Sequence, residues 1–207
     1  MTSAEKFWDK TAVKYSKSPI KNMDAYNQTL DLTRTYLTQE SSVLEIGCGT
    51  GGTALLLAGS VKHITASDIS ANMINIAKSK AGDAGKANVT FLQGDVFMES
   101  LLPESFDAVL AFNLLHLVED LPETLQRIRI LLRPGGRFIS KSACVAQQSR
   151  LWGVPIFLAR TLGVIPPINM LTFDTLEQAI SDAQFQITEA KVFEGSSMSR
   201  FIVAEKL

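Results

Sequence analysis

Among 207 residues there are only two cysteines, Cys48 and Cys144, so no disulfide framework can hold the chain together. Neither belongs to a CxxC pair, and no cluster of ligands has the spacing of a zinc or magnesium site. Both cysteines read as reduced thiols, and no metal is expected. An excess of charge is missing as well: Lys and Arg number 20 against 21 acids, which leaves no overall positive field to hold a polyanion. Nucleic acid is therefore not an expected partner. The N-terminal MTSAEKFWDKTAVKYSK mixes charges where a secretory leader needs an unbroken apolar run, so the expected compartment is the cytoplasm. In that compartment the Asn27-Gln28-Thr29 and Asn88-Val89-Thr90 sequons have no consequence. The apolar stretch 151–165 is broken by Pro155, by glycines and by Arg160, and is not expected to span a membrane.

What is present is an ordinary globular composition, 46% hydrophobic and 20% charged, at a length that suits one compact domain. From Ser42 onward, short β-rich apolar runs alternate with stretches of helical period, the signature of βαβ units and a parallel sheet. The pattern predicts strands over 43–46, 63–67, 89–93, 108–112 and 137–143. It predicts helices over 52–59, 70–80 behind a Ser cap, and 121–132, which ends at Arg133-Pro134-Gly135-Gly136. Two last strands, 186–193 and 200–205, flank Glu194-Gly195-Ser196-Ser197 and suit an antiparallel edge hairpin. Tyr26, Leu30, Thr33 and Leu37 recur at helical spacing, so 22–38 should form a helix laid against the sheet.

The most informative segment is Val43-Leu44-Glu45-Ile46-Gly47-Cys48-Gly49-Thr50-Gly51-Gly52, an apolar strand that runs into a glycine-rich turn and then a helix. Such a loop lets a ligand lie against bare backbone, and in an open α/β sheet it sits at the switch point between the first and fourth strands. Two cofactor classes fit it. Gly47, Gly49 and Gly52 satisfy the dinucleotide pattern GxGxxG, and Asp68 follows near the place of a ribose-binding acid, as in a nicotinamide-dependent oxidoreductase. Glu45-x-Gly47-x-Gly49-x-Gly51, on the other hand, resembles motif I of the class I S-adenosylmethionine-dependent methyltransferases, and the resemblance continues in order along the chain. Ala66-Ser67-Asp68-Ile69-Ser70 is similar to motif II and Gly94-Asp95-Val96-Phe97 to motif III. Residues 105–113 resemble the fourth strand of that family, and Leu132-Arg133-Pro134-Gly135-Gly136 its turn into the fifth.

This resemblance implies a Rossmann-like, doubly wound, mostly parallel sheet with helices on both faces and S-adenosylmethionine as cofactor, S-adenosylhomocysteine being the product. It implies that the backbone of Gly47, Cys48, Gly49 and Gly51 holds the methionine portion while Glu45 fixes the loop and the amino end. Asp68, followed by Ile69, would accept both ribose hydroxyls, and a carboxylate is apt because it offers two acceptor oxygens. Asp95 would address the adenine amine beside Val96, with Met73, Met98 and Phe97 as apolar walls that could equally be core filling. Phe112 and Asn113 end the fourth strand against the cofactor. Trp8-Asp9-x-x-Ala12-x-x-Tyr15 resembles the segment that closes over the cofactor in small-molecule members, and it also reads as a plain amphipathic helix. Asp107 is taken as a structural residue at the start of its strand, and His63 as a surface residue.

His116, just beyond the fourth strand, is the candidate general base, with a packed or capping histidine as the other reading. Asn113-Leu114-Leu115-His116 stands where enzymes that methylate base amino groups or protein glutamine carry Asn/Asp-Pro-Pro-aromatic, which points away from those acceptors. The expected organisation is one domain over 1–207: a helical cover (1–40), a cofactor-binding core (42–143), an apolar lid (147–172), then the last helix and hairpin (173–207). The lid, with Trp152 and Phe157, suggests a small, fairly apolar organic acceptor, and exposed apolar segments suggest a homodimer. A nicotinamide oxidoreductase and a non-catalytic cofactor-binding protein of the same fold remain the alternatives.

Overall fold

The computed structural model describes residues 2–147, 168–196 and 198–207. The core of the expected lid, including Trp152, Phe157 and Pro166-Pro167, lies outside the described residues, as does Ser197 of the hairpin turn.

Helix α1 (Ser3–Lys17) starts behind Thr2, whose hydroxyl accepts the Glu5 N–H while the Glu5 carboxylate accepts the Thr2 N–H. This reciprocal cap satisfies two amides that a helix start leaves orphaned. Helix α2 (Met23–Thr35) is capped by Asn22. It stops three residues short of its expected end, because Tyr36 and Leu37 bond back over three residues to Thr33 and Arg34 and tighten the chain out of the helix. There follow β1 (Ser42–Ile46), a short α3 (Gly52–Leu57) with a 3-10 turn (Ala58–Ser60), β2 (His63–Asp68) and α4 (Ala71–Asp83), the last capped by Ser70. The chain continues through β3 (Val89–Gln93), β4 (Phe106–Phe112), α5 (Leu121–Leu131), β5 (Leu132–Ala143), α6 (Phe173–Asp182), β6 (Phe185–Lys191) and β7 (Ser199–Lys206). Strand β6 leaves the ladder before its expected end at Phe193, which instead turns inward onto Phe201 at a ring separation of 5.4 Å.

The seven strands form one sheet in the order β3-β2-β1-β4-β5-β7-β6. All neighbours run parallel except β7, which is antiparallel to both β5 and β6. Because strand side chains alternate, the sheet feeds two cores. Leu44, Ile46, Val109 and Phe138 pack with Leu125 and Ile128 of α5 and Leu176 of α6 on one face. Val43, Ala108, Leu110 and Ile139 pack with Leu30, Ala54, Leu57 and Ile74 of α2, α3 and α4 on the other. Burial on both faces explains why these strands read as continuous apolar runs, and each fully buried Leu, Ile or Phe contributes about 1.5–3 kcal/mol. Asp107 bolts the middle together: its carboxylate accepts the Ser42 N–H at 2.7 Å and Arg133 at 2.6 Å, joining β1, β4 and the start of β5.

The order of strands also places the site. From β1 the chain moves outward through β2 and β3, then crosses back to lay β4 on the other side of β1. Connections leave the carboxyl ends of β1 and β4 in opposite directions, and a crevice opens between them.

Candidate active site

At the end of β1 the chain turns through Gly47 with φ +66°, where an added Cβ would sit 2.7 Å from Cδ1 of Leu114. Both the left-handed backbone and the close approach require glycine there. Gly51, with φ +75°, caps α3 and has a different duty. A Cβ on it would lie 2.7 Å from the Phe91 ring and 2.9 Å from Ala77, so it faces the packed core and not the crevice. Cys48 is also turned inward: its N–H bonds to Ser67 O at 2.9 Å, and burial beside Glu45 and Asp68 pushes its thiol far up. It is an inert packing thiol. Gly47 and Gly49 are the loop residues that line the crevice.

Two acids flank this loop in different states. Asp68, at the end of β2, accepts Gly49 N–H on one oxygen and Ser70 N–H on the other, both at 2.9 Å. Each oxygen keeps a lone pair for a ligand hydroxyl. Burial raises its pKa, the two N–H bonds oppose that, and the nearby Asp9 charge adds to the rise. Glu45 is buried behind the loop, at 3% exposure, and does not line the crevice. Burial raises its carboxyl to about 8, against the lowering effect of the Ala54 N–H and with a further rise from Asp68. Among the described residues its Oε2 has no hydrogen-bond partner.

The crevice itself is a cavity of about 430 Å³. Asp68, Ile69 and Met73 form one side of it, and Asp95, Val96 and Phe97 another. Asp95 Oδ1 accepts the Phe97 N–H at 2.9 Å, which fixes the turn after β3. Phe112 and Asn113 close the β4 end, Asn113 adopting φ +55° while its N–H bonds to Lys141 O. Over the top lies α1, with Trp8 and Tyr15 facing in; the Tyr15 ring is 3.7 Å from where a Gly49 Cβ would be. Burial and the charges of Asp68 and Glu45 raise the Tyr15 pKa, so its phenol stays protonated. The lining carboxylates are Asp68, Asp95, Glu119, Asp120 and Glu123, and no Lys, Arg or His joins them among the described residues. This wall repels a pyrophosphate and attracts a cation.

Residues 37–153 match the profile of a family described as a methyltransferase domain, more than half of the chain. The chain belongs to this methyltransferase family. An uncharacterized methyltransferase of Mycobacterium tuberculosis is 34% identical over 111 residues, 54% of each chain. A hybrid polyketide–nonribosomal peptide synthetase of a Neonectria species is 28% identical over 158 residues, 69% of this chain but 4% of that one. The chain thus spans about half, or a small fraction, of these curated relatives. In fold, Haemonchus contortus phosphoethanolamine N-methyltransferase 2, in complex with phosphomonomethylethanolamine and S-adenosylhomocysteine, superposes with a TM-score of 0.80 at 18% identity, covering 100% of this chain and 61% of that one. The family match favours a methyltransferase over a nicotinamide-dependent oxidoreductase.

His116 of the methyltransferase lies beyond Asn113 but is not among the residues that line the cavity. Its carbonyl accepts Asn169 N–H at 2.7 Å, and burial lowers the imidazole pKa to about 4. It is a neutral ring at pH 7, and its buried Nδ1 has no partner among the described residues. Sequence reasoning passed over Glu119, Asp120 and Glu123, which read simply as the charged start of α5, Asp120 being its cap. Asp9 enters the sequence reading only within Trp8-Asp9-x-x-Ala12-x-x-Tyr15, with no partner of its own. The signal was there: Asp9 sits one residue after Trp8 on the helix that covers the crevice. Among the described residues no helix of the methyltransferase is long and apolar enough to cross a membrane.

Proposed function

We propose that this methyltransferase transfers a methyl group from S-adenosylmethionine, held in the β1–β4 crevice, to a small and fairly apolar organic acceptor. The observation that carries the reading is the crevice's lining: carboxylates, apolar walls and a bare glycine turn, with no described cation. Those residues fit a donor that bears a sulfonium and an ammonium. Asp68 would take the ribose hydroxyls, Asp95 the adenine amine, and the backbone at Gly47 and Gly49 the methionine end. Val96, Ile69, Met73 and Phe97 would wall the adenine. Glu45, with one unpartnered oxygen behind the loop, would brace the amino end.

When bound, the donor would supply an activated methyl, displaced in line by the acceptor with the thioether as a good leaving group. Positioning and the exclusion of water then supply much of the acceleration. Asn113 and Phe112 set the floor beneath the methyl end, and α1 covers the site. His116, the sequence candidate for a general base, lies outside the cavity lining and burial makes it a weak base, so an acceptor that must lose a proton would reach it only through a path from the cavity past Leu117. The acidic wall disfavours a phosphate-bearing acceptor such as the one in the Haemonchus complex.

Calorimetry of the full chain tests the reading. Saturable binding of S-adenosylhomocysteine is expected, with none of NADH. Asp68→Ala should weaken it at least about tenfold, since each charge-assisted hydrogen bond contributes about 1.5–3 kcal/mol. Incubating cell extract with labelled donor should yield a labelled small molecule, in reduced amount with His116→Gln. A well-folded protein that binds neither donor nor product would overturn the assignment.

A further inference from the structure

Helix α1 reaches the rest of the molecule through a side chain that the donor reading leaves unused. Asp9 Oδ1 accepts the Ser70 hydroxyl at 2.6 Å and the Asn72 N–H at 3.1 Å, while Asn72 Nδ2 donates to the Asp9 carbonyl at 3.1 Å. One carboxylate of α1 thereby sits at the N-terminus of α4, where its charge faces the positive end of that helix. Ser70 is wholly buried and commits both its hydroxyl and its N–H to this junction: the hydroxyl also accepts the Met73 N–H at 3.1 Å, and the N–H donates to Asp68 Oδ1. The result is a continuous path from the cover to the floor, Asp9 to Ser70 to Asp68 to Gly49 N–H.

We propose that Asp9 is a positioning residue that couples closure of α1 over the crevice to the orientation of Asp68, so that it governs how long the adenosyl ligand stays bound. With Asp9 in place, α1 is held where Trp8 and Tyr15 face the cavity, and Ser70 is gripped from both sides, its hydroxyl by Asp9 and its N–H by Asp68. Without the carboxylate, Ser70 keeps its cap on α4 but loses its acceptor, and of the bonds at this junction α1 keeps the one from Asn72 Nδ2 to the backbone carbonyl of residue 9. A buried hydroxyl left without its acceptor is costly, so the junction favours the docked arrangement. A ligand that binds only beneath the docked helix is released at the rate at which that helix lifts.

The proposal rests on the donor reading, and the experiment separates the two. In a Trp152→Phe background Trp8 is the sole tryptophan, so its fluorescence reports on α1. Stopped-flow release of S-adenosylhomocysteine is measured for this protein, for Asp9→Ala and for Asp9→Asn, alongside tryptic cleavage after Lys17 and Lys21 in the ligand-free state. Asp9→Ala is expected to release the ligand about tenfold faster or more, with a smaller change in the association rate and faster cleavage of the linker. Asp9→Asn retains an acceptor oxygen for Ser70 and Asn72 and should recover release to within about threefold of the parent. A purely structural role would lower melting temperature without this split in rates or the rescue. Unchanged release and unchanged cleavage in Asp9→Ala would overturn the coupling while leaving the donor reading intact. If the parent protein binds no S-adenosylhomocysteine, the donor reading and the coupling fall together.

Discussion

At Glu45 a buried carboxyl makes the stability of the ligand-free protein depend on pH. Its folded pKa of about 8 lies above the ordinary carboxylate value, because burial disfavours the charge and Asp68 adds repulsion. Between the unfolded and folded pKa the native state holds a proton that the unfolded chain has lost, so raising the pH favours unfolding. The penalty accumulates from roughly the normal carboxylate range and is complete above about 8. Glu45→Gln, which cannot ionise, should match wild type near pH 4 and be more stable at pH 9, by on the order of a few kcal/mol. Thermal melts of both proteins across this range, without ligand, check the sign. A wild-type curve parallel to that of the glutamine variant would refute a buried neutral Glu45. His116 moves in the other direction: its lowered pKa stabilises the fold above the normal histidine range and ceases to do so as pH falls through about 4.

Among the elements, α5 does more than cover the sheet. Arg127 projects from it to three carbonyls of the β3–β4 connection, Val96 at 3.2 Å, Met98 at 3.4 Å and Leu101 at 2.8 Å. That connection carries Asp95, Val96 and Phe97, so the helix braces one wall of the crevice. Arg127→Ala should cost about 1–3 kcal/mol of stability, through carbonyls left unpaired, and weaken S-adenosylhomocysteine binding severalfold. Lys, with no planar fork to span three acceptors, should recover only part of this. Chemical denaturation and calorimetry on the two variants read both effects.

Legibility followed the same division. Strands buried on both faces, such as Val43 to Ile46 and Ala108 to Phe112, announce themselves as apolar runs, and the capped helices by their first residues. Asp68 is readable because it ends its strand, and Asp95 because Gly94-Asp95 follows the next strand as a turn pair. What sequence could not show is which way a side chain faces after a turn. Gly47 and Gly51 look alike in the motif, yet one lies under the cavity and the other against Phe91. Asp9 and Ser70 are separated by 61 positions, so no local pattern reveals their bond.

Over the whole molecule the charges nearly cancel, a net of −1, and so the composition conceals a strongly acidic crevice. This local field should distinguish the cationic donor from its uncharged-sulfur product. Replacing Glu119 and Glu123 with glutamine together is expected to weaken S-adenosylmethionine binding severalfold while hardly changing S-adenosylhomocysteine, and added salt should mimic the substitution. Parallel titrations of the two ligands at low and high ionic strength measure the difference. Equal effects on both ligands would rule out charge as the discriminator.

The interior position of β7 bears on how the chain assembles. Strand β6 joins the ladder through β7, and this last hairpin is a local structure of a kind that closes in microseconds, whereas the pairing of β7 with β5 is long-range. The Asn22 side chain that caps α2 also donates to Glu194 O in the turn of that hairpin, at 3.3 Å. That bond ties the start of α2 to the last hairpin, and whenever β7 is out of place the edge of β5 is open to pairing with a neighbouring chain.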